Sequence, residues 1–209
     1  MTTLIVIAKA PVPGRVKTRL TPPYTPTEAA SLAEAALADT LTTVAALPVA
    51  RRILYLDGAP GTWLPSGFDV VPQCGGGLDE RLAGAFRLPG GPALLIGMDT
   101  PQVTAADLAP ALADDAWERH DAYFGPAADG GFWALGLARP EPSLLLGVPM
   151  STGTTGREQR ARLTGAGLSI GDLGTLRDVD TAADVAAVAA LAPSGRFASR
   201  AIDLGAVIA

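Results

Sequence analysis

Apolar residues in this chain fall into short runs closed by Gly- and Pro-rich segments, and these runs alternate with longer stretches dominated by Ala and Leu. Residues 4–8 read as a fully buried strand, apolar throughout and ended by a Pro/Gly loop. Residues 27–47 follow as a helix, with Thr27 as its cap. Strands are expected at 53–57 and 70–73. A helix at 78–86 comes next, on the spacing of Leu78, Leu82 and Phe86. Residues 93–97, ALLIG, form the cleanest buried strand, and 104–113 a helix capped by Thr104. Strands at 121–125 and 132–137 flank a turn at 126–131. A helix at 155–165, a weak strand at 169–173 and a helix at 182–191 complete the pattern, and the last fifteen or so residues are ambiguous. Strands alternating with helices predict an α/β fold with a mostly parallel central sheet and helices on both faces. The tight turn before residue 132 adds an antiparallel insertion. No linker divides the 209 residues, so one domain is expected over 1–209, with 190–209 as a C-terminal extension.

Composition narrows the function. The formal net charge is −5, with 16 Lys and Arg against 21 Asp and Glu, which disfavours nucleic acid as a partner. One cysteine, Cys74, and one histidine, His120, exclude an internal disulfide and a Cys/His zinc site. Any metal must then be a hard cation on carboxylates. No apolar run reaches the roughly 20 residues of a membrane span. The first strand starts without the basic and apolar regions of a signal peptide, so a cytoplasmic protein is expected.

Ligands of open α/β sheets bind beyond the carboxyl ends of the strands. Four polar clusters fall there. The loop after the first strand, in LIVIAKAPVPGRVKTRL, carries Lys9, Arg15, Lys17 and Arg19 and no carboxylate. Pro11, Pro13 and Gly14 shape it, Arg offers a planar fork to phosphate oxygens, and Lys a compact charge. The alternative is a solvated loop. The Walker spacing G-x-x-x-x-G-K-S/T is absent. Asp99, in G-M-D-T-P, either holds Mg²⁺ or Mn²⁺ or caps a turn before Pro101. The D-G-G turn at Asp129 permits close backbone approach. Asp178 and Asp180, in D-V-D-T, share one face of an extended segment and can both approach one cation; the alternative is that Asp180 or Thr181 caps the next helix, which is compatible with binding by Asp178. Gln73 and the glycines after it can read a nucleobase edge. Cys74 reads as an inert small residue, His120 as an exposed helix-end residue, and Phe132 and Trp133 as core.

The blocks AKAPVPGRVKTRL, QCGGGLDER, LLIGMDTP, GPAADGGF and RDVDT occur in this order over residues 3–190. Together they resemble the DUF2064 family, glycosyltransferase-A-like (GT-A) proteins of the nucleotide-diphospho-sugar transferase superfamily. The resemblance implies a Rossmann-like GT-A fold with a nucleotide site at the strand ends. It implies Asp99 as the metal-binding aspartate, Asp178 or Asp180 as a second carboxylate near the metal, and the basic loop as the phosphate-contacting loop. Arg81, in the second block, joins the phosphate-binding set. Two positions depart from the family: Asp79 stands where Gly is usual, and Met150 lies where an aromatic residue is usual, which leaves the acceptor open.

The leading expectation is a metal-dependent glycosyltransferase that takes a nucleotide sugar and a small-molecule acceptor. Mg²⁺ or Mn²⁺ on Asp99 offsets the leaving diphosphate, Arg15, Lys17 and Arg19 assist, the acceptor enters near Asp129 and the Met150–Thr155 loop, and Asp129 is the candidate base. The alternative is a nucleotidyltransferase that joins an NTP to a phosphorylated or phosphonate metabolite and releases pyrophosphate, to which the basic loop is equally suited. A noncatalytic nucleotide-binding protein is the third reading.

Overall fold

The computed structural model describes residues 1–206. Seven strands, β1 (Thr3–Lys9), β2 (Arg51–Asp57), β3 (Asp69–Pro72), β4 (Ala93–Ile96), β5 (Ala122–Pro126), β6 (Phe132–Leu137) and β7 (Ile170–Asp172), form one sheet in the order β3-β2-β1-β4-β6-β5-β7. All neighbours are parallel except β6, which runs antiparallel to both β4 and β5. The antiparallel insertion is the one expected from the turn before residue 132.

Helices α1 (Pro26–Ala45), α2 (Leu78–Ala85), α3 (Ala105–Leu112), α4 (Ala116–Arg119), α5 (Thr155–Gly165), α6 (Ala182–Leu191) and α7 (Arg196–Asp203) surround the sheet. Both faces are covered. Leu4, Val6 and Ala8 of β1 pack with Leu37 and Leu41 of α1 and Leu108 of α3. Ile5, one residue out of phase, packs on the other face with Leu82 of α2 and Leu163 of α5. Central strands buried on both sides read as continuous apolar runs, not as alternation.

The ambiguous C-terminal stretch contains α7; positions 207–209 lie outside the described residues. Phe197, Ala198 and Ala201 of α7 enter a third apolar cluster with Leu32 of α1 and Val185 of α6. The amides of Arg196 and Phe197 donate to Asp39 at 3.1 and 2.8 Å, fixing the start of α7 on α1. The cap of α1 is Thr25, not Thr27. Glu28 Nα donates to the Thr25 hydroxyl at 3.3 Å, while the Thr25 amide donates to the Glu28 carboxylate at 2.7 Å. Pro26 fits the first helical position, where no amide is needed, and so moves the start two residues upstream. Among the described residues no helix is long and apolar enough to cross a membrane.

Candidate functional site

The chain leaves β1 toward β2 and β3, then returns to place β4 on the opposite side of β1. This reversal opens a crevice at the carboxyl ends of β1 and β4, the usual ligand position of such sheets. Its volume is about 990 Å³. The loops after β1, β4 and β7 and the β5–β6 turn all reach it, the last because antiparallel β6 begins where β4 ends.

The loop after β1 is pinned at two points. Val16 is buried in the sheet core, and Leu20 is buried in the cluster of α1, α6 and α7. Between them Lys17 adopts a left-handed backbone, φ 49°, and its side chain turns inward to 8% exposure. Arg15 and Arg19 on either side remain exposed. Gly14, at φ +76°, supplies the turn that precedes them. Lys17 Nζ lies 2.7 Å from Asp99 Oδ1 and 3.5 Å from Asp180 Oδ1, and it also donates to the Val179 carbonyl. Arg19 Nη1 reaches the other oxygen of Asp180 at 3.3 Å.

Three carboxylates act on this lysine. Burial alone lowers the pKa of Lys17, but attraction from Asp99, with Asp180 and Asp178, outweighs it and holds the pKa above the ordinary lysine value. Burial, with repulsion from Asp99 and Asp129, pushes the carboxyl of Asp178 up to about 7. Asp178 Oδ1 is buried without a hydrogen-bond partner among the described residues. Of the two caps weighed for α6, Thr181 is the one found and Asp180 is not: the Thr181 amide and hydroxyl both donate to Asp184 at 2.8 Å and close that end. The turn role weighed for Asp99 is not seen either. Among the described residues, Lys17 is the partner of its carboxylate.

Among the described residues no three His, Cys, Asp or Glu side chains converge as a ready-made metal cage. The donor chemistry nevertheless fits a hard divalent cation. The groups are carboxylates only, and one buried oxygen, on Asp178, lacks a partner among the described residues. Hard cations commonly bind one or two carboxylates and take the remaining ligands from water and phosphate.

The other expected residues divide. Lys9 and Arg15 line the crevice, and Arg15 makes no ion pair among the described residues. Arg81 lines it too, but its charge is matched by Asp57 at 3.2 Å, and its Nε donates to the Gly76 carbonyl at 3.1 Å. Gln73 is a strut: its side-chain amide donates to the Ala8 and Tyr55 carbonyls at 2.8 and 2.9 Å, tying the ends of β1 and β2. That leaves its NH₂ no donor for a base. Asp129 Oδ1 accepts from the Gly131 amide at 2.8 Å, so one oxygen shapes the turn and the other has no partner among the described residues. Trp133 is core, its Nε1 donating to the Gly174 carbonyl at 2.9 Å. Cys74 is an exposed free thiol. His120 does end α4 but is half-buried against Tyr123, away from the crevice.

The 150–155 loop, expected beside Asp129, does reach the crevice: Met150, Ser151, Thr152, Gly153 and Thr155 line it, held to the D-G-G turn by the Gly156 amide on the Gly130 carbonyl at 2.8 Å. Ser151 sits there at φ 58°, unusual for a residue with a side chain. The run of small hydroxyl and glycine residues, S-T-G-T-T-G, is the signal that marks this segment.

A crystal structure described as that of a candidate nucleotide-diphospho-sugar transferase from Desulfovibrio desulfuricans G20 is 26% identical, with a TM-score of 0.76 over 86% of this chain and 82% of that one. Rv0371c of Mycobacterium tuberculosis H37Rv, solved with manganese, is 21% identical, with a TM-score of 0.54 over 90% and 96%. CMP:2-keto-3-deoxy-manno-octonic acid synthetase, solved with CTP, is 13% identical, with a TM-score of 0.55 over 91% and 97%. The last two show the likeness of fold. No curated protein sequence matches. The profile of one family, described as "Uncharacterized protein conserved in bacteria (DUF2064)", matches residues 34–152, and the chain belongs to that family.

Proposed function

We propose that this protein is a divalent-metal-dependent transferase that uses a nucleotide-activated donor, in the first place a nucleoside-diphosphate sugar. The observation that carries the reading is the crevice at β1 and β4, lined by the cations Lys9, Arg15 and Arg19 together with the carboxylates of Asp99, Asp129, Asp178 and Asp180. A diphosphate needs positive charge at its oxygens, and Lys9, Arg15 and Arg19 offer it from the loop after β1. Asp99, with Asp178 or Asp180, would hold Mg²⁺ or Mn²⁺, which supplies Lewis-acid charge to the departing diphosphate. The transfer breaks the bond between the sugar's anomeric carbon and the phosphate oxygen and forms one to an acceptor oxygen. The second oxygen of Asp129 takes the acceptor's proton, with the 150–155 segment beside it as the acceptor wall. Residues 1–209 act as one transferase domain in this reading. The relatives described as a candidate sugar-nucleotide transferase and as manganese-bound support it.

Nucleotidyl transfer is the second reading. It is favoured by the unpaired Arg15 and by the shared fold with a CTP-bound synthetase. The two differ in the leaving group. Thermal shift with Mg²⁺ or Mn²⁺ and a panel of NTPs and nucleotide sugars names the donor, because a ligand of the native state raises apparent stability. Metal-dependent stabilisation by one nucleotide sugar, followed by NDP release, is expected. Stabilisation by a free NTP with pyrophosphate release would replace glycosyl by nucleotidyl transfer. Nucleotide binding indifferent to EDTA and to Asp99→Ala would leave only a binding protein.

A further inference from the structure

Lys17 stands where the carboxylates would otherwise meet a metal. An ammonium has three protons to give, and this one has three acceptors: Asp99 Oδ1, Asp180 Oδ1 and the Val179 carbonyl. It is also deeper than its partners, at 8% exposure against 38% for Asp99 and 34% for Asp180. A divalent ion sharing those oxygens would face a fixed positive charge at close range, inside a pocket that screens poorly. The lysine backbone is held by Val16 and Leu20, so only its flexible four-carbon stem is free to move. Arg19 grips Asp180 independently, so the carboxylate stays placed if Lys17 departs.

We infer that Lys17 is an internal competitor of the metal: its ammonium fills the cation position between Asp99 and Asp180 until a divalent ion displaces it. Resting on the metal-dependent reading above, this deepens it. Lys17 then moves into the crevice, beside Arg15, where donor phosphates draw it. Donor and metal binding become mutually reinforcing, since the anion stabilises the displaced lysine and the metal stabilises the vacated carboxylates. A protein built in this way holds metal weakly until donor arrives.

The test is Mn²⁺ affinity, read by electron paramagnetic resonance on the full chain without nucleotide. Lys17→Met is expected to bind Mn²⁺ at least about tenfold more tightly than the wild type, about 1.4 kcal/mol. Equal or weaker binding by the variant overturns the exchange while leaving metal dependence intact. If neither protein binds Mn²⁺, with or without pyrophosphate as the probe anion, metal dependence and exchange fall together. Should Lys17→Met not fold, the wild type decides. Acetic anhydride labelling of Lys17, mapped by mass spectrometry, is expected to rise severalfold on Mn²⁺ saturation. Labelling that stays constant while Mn²⁺ binds overturns the exchange.

Discussion

The Val179 amide donates to the Asp99 carbonyl at 3.0 Å, so the loop after β4 and the segment before α6 are fastened backbone to backbone. The two backbones are thereby held together, and Lys17 bridges the carboxylates of Asp99 and Asp180 from a third segment. Asp99→Asn keeps the shape and removes the charge. It is expected to cost about 1 kcal/mol in urea denaturation, less than the 3–5 of a fully buried pair, because Asp99 is 38% exposed. Donor turnover is expected to fall at least about 100-fold, since the lost charge acts where the leaving group departs. Turnover within threefold of wild type would remove Asp99 from the reaction.

Asp178 makes stability depend on pH in a direction opposite to most carboxylates. Folded, it titrates at about 7; unfolded, near the ordinary 3.8. Between these values the native state keeps a proton that the unfolded chain has lost. The contribution is thus complete below pH 4 and is lost as pH rises through 7, by at most about 4 kcal/mol. In EDTA, Asp178→Asn is expected to raise the urea midpoint relative to wild type at pH 8.5 and to leave it unchanged at pH 4. An equal effect at both pH values would show that burial and neighbouring charge do not act on this carboxyl.

The sheet was legible because its central strands are continuous apolar runs, and β6 was legible because a Gly-rich turn left only one direction for the chain. The cation loop was legible as a cluster but not as a geometry. That Lys17 turns inward while Arg15 and Arg19 stay out follows from the anchors Val16 and Leu20, and from Asp180, 163 positions away. Gln73 looked free for the same reason: its two carbonyl partners belong to strands that become neighbours only in the sheet. Helix α4, four residues long, is too short to leave a period. In α7 the buried Phe197, Ala198 and Ala201 are helically spaced, but their partner α1 lies over 150 positions earlier.

The helix start of α1 offers a local check of this kind. Thr25 and Glu28 cap each other, whereas Thr27 is an exposed residue in the first turn. Thr25→Ala is expected to destabilise by about 1 kcal/mol, and Thr27→Ala by less than about 0.5 in either direction. Thermal or urea unfolding of the two variants distinguishes the caps; the reverse order would restore Thr27.

Arg15 separates binding from folding. It is exposed, lines the crevice and has no ion-pair partner among the described residues, so nothing in the fold depends on its charge. Arg15→Ala is expected to leave the unfolding midpoint within about 0.5 kcal/mol of wild type. Donor affinity, measured by calorimetry at low salt, is expected to drop about tenfold, the scale of one charge-assisted hydrogen bond to phosphate. Raising the ionic strength should shrink that difference, because salt weakens the attraction between exposed charges. Arg15→Lys should recover part of the affinity, since it restores the charge without the planar fork. Unchanged affinity in Arg15→Ala would mean that the phosphates lie against Lys9 and Arg19 instead, and that the wall beyond Gly14 faces water when the donor is bound.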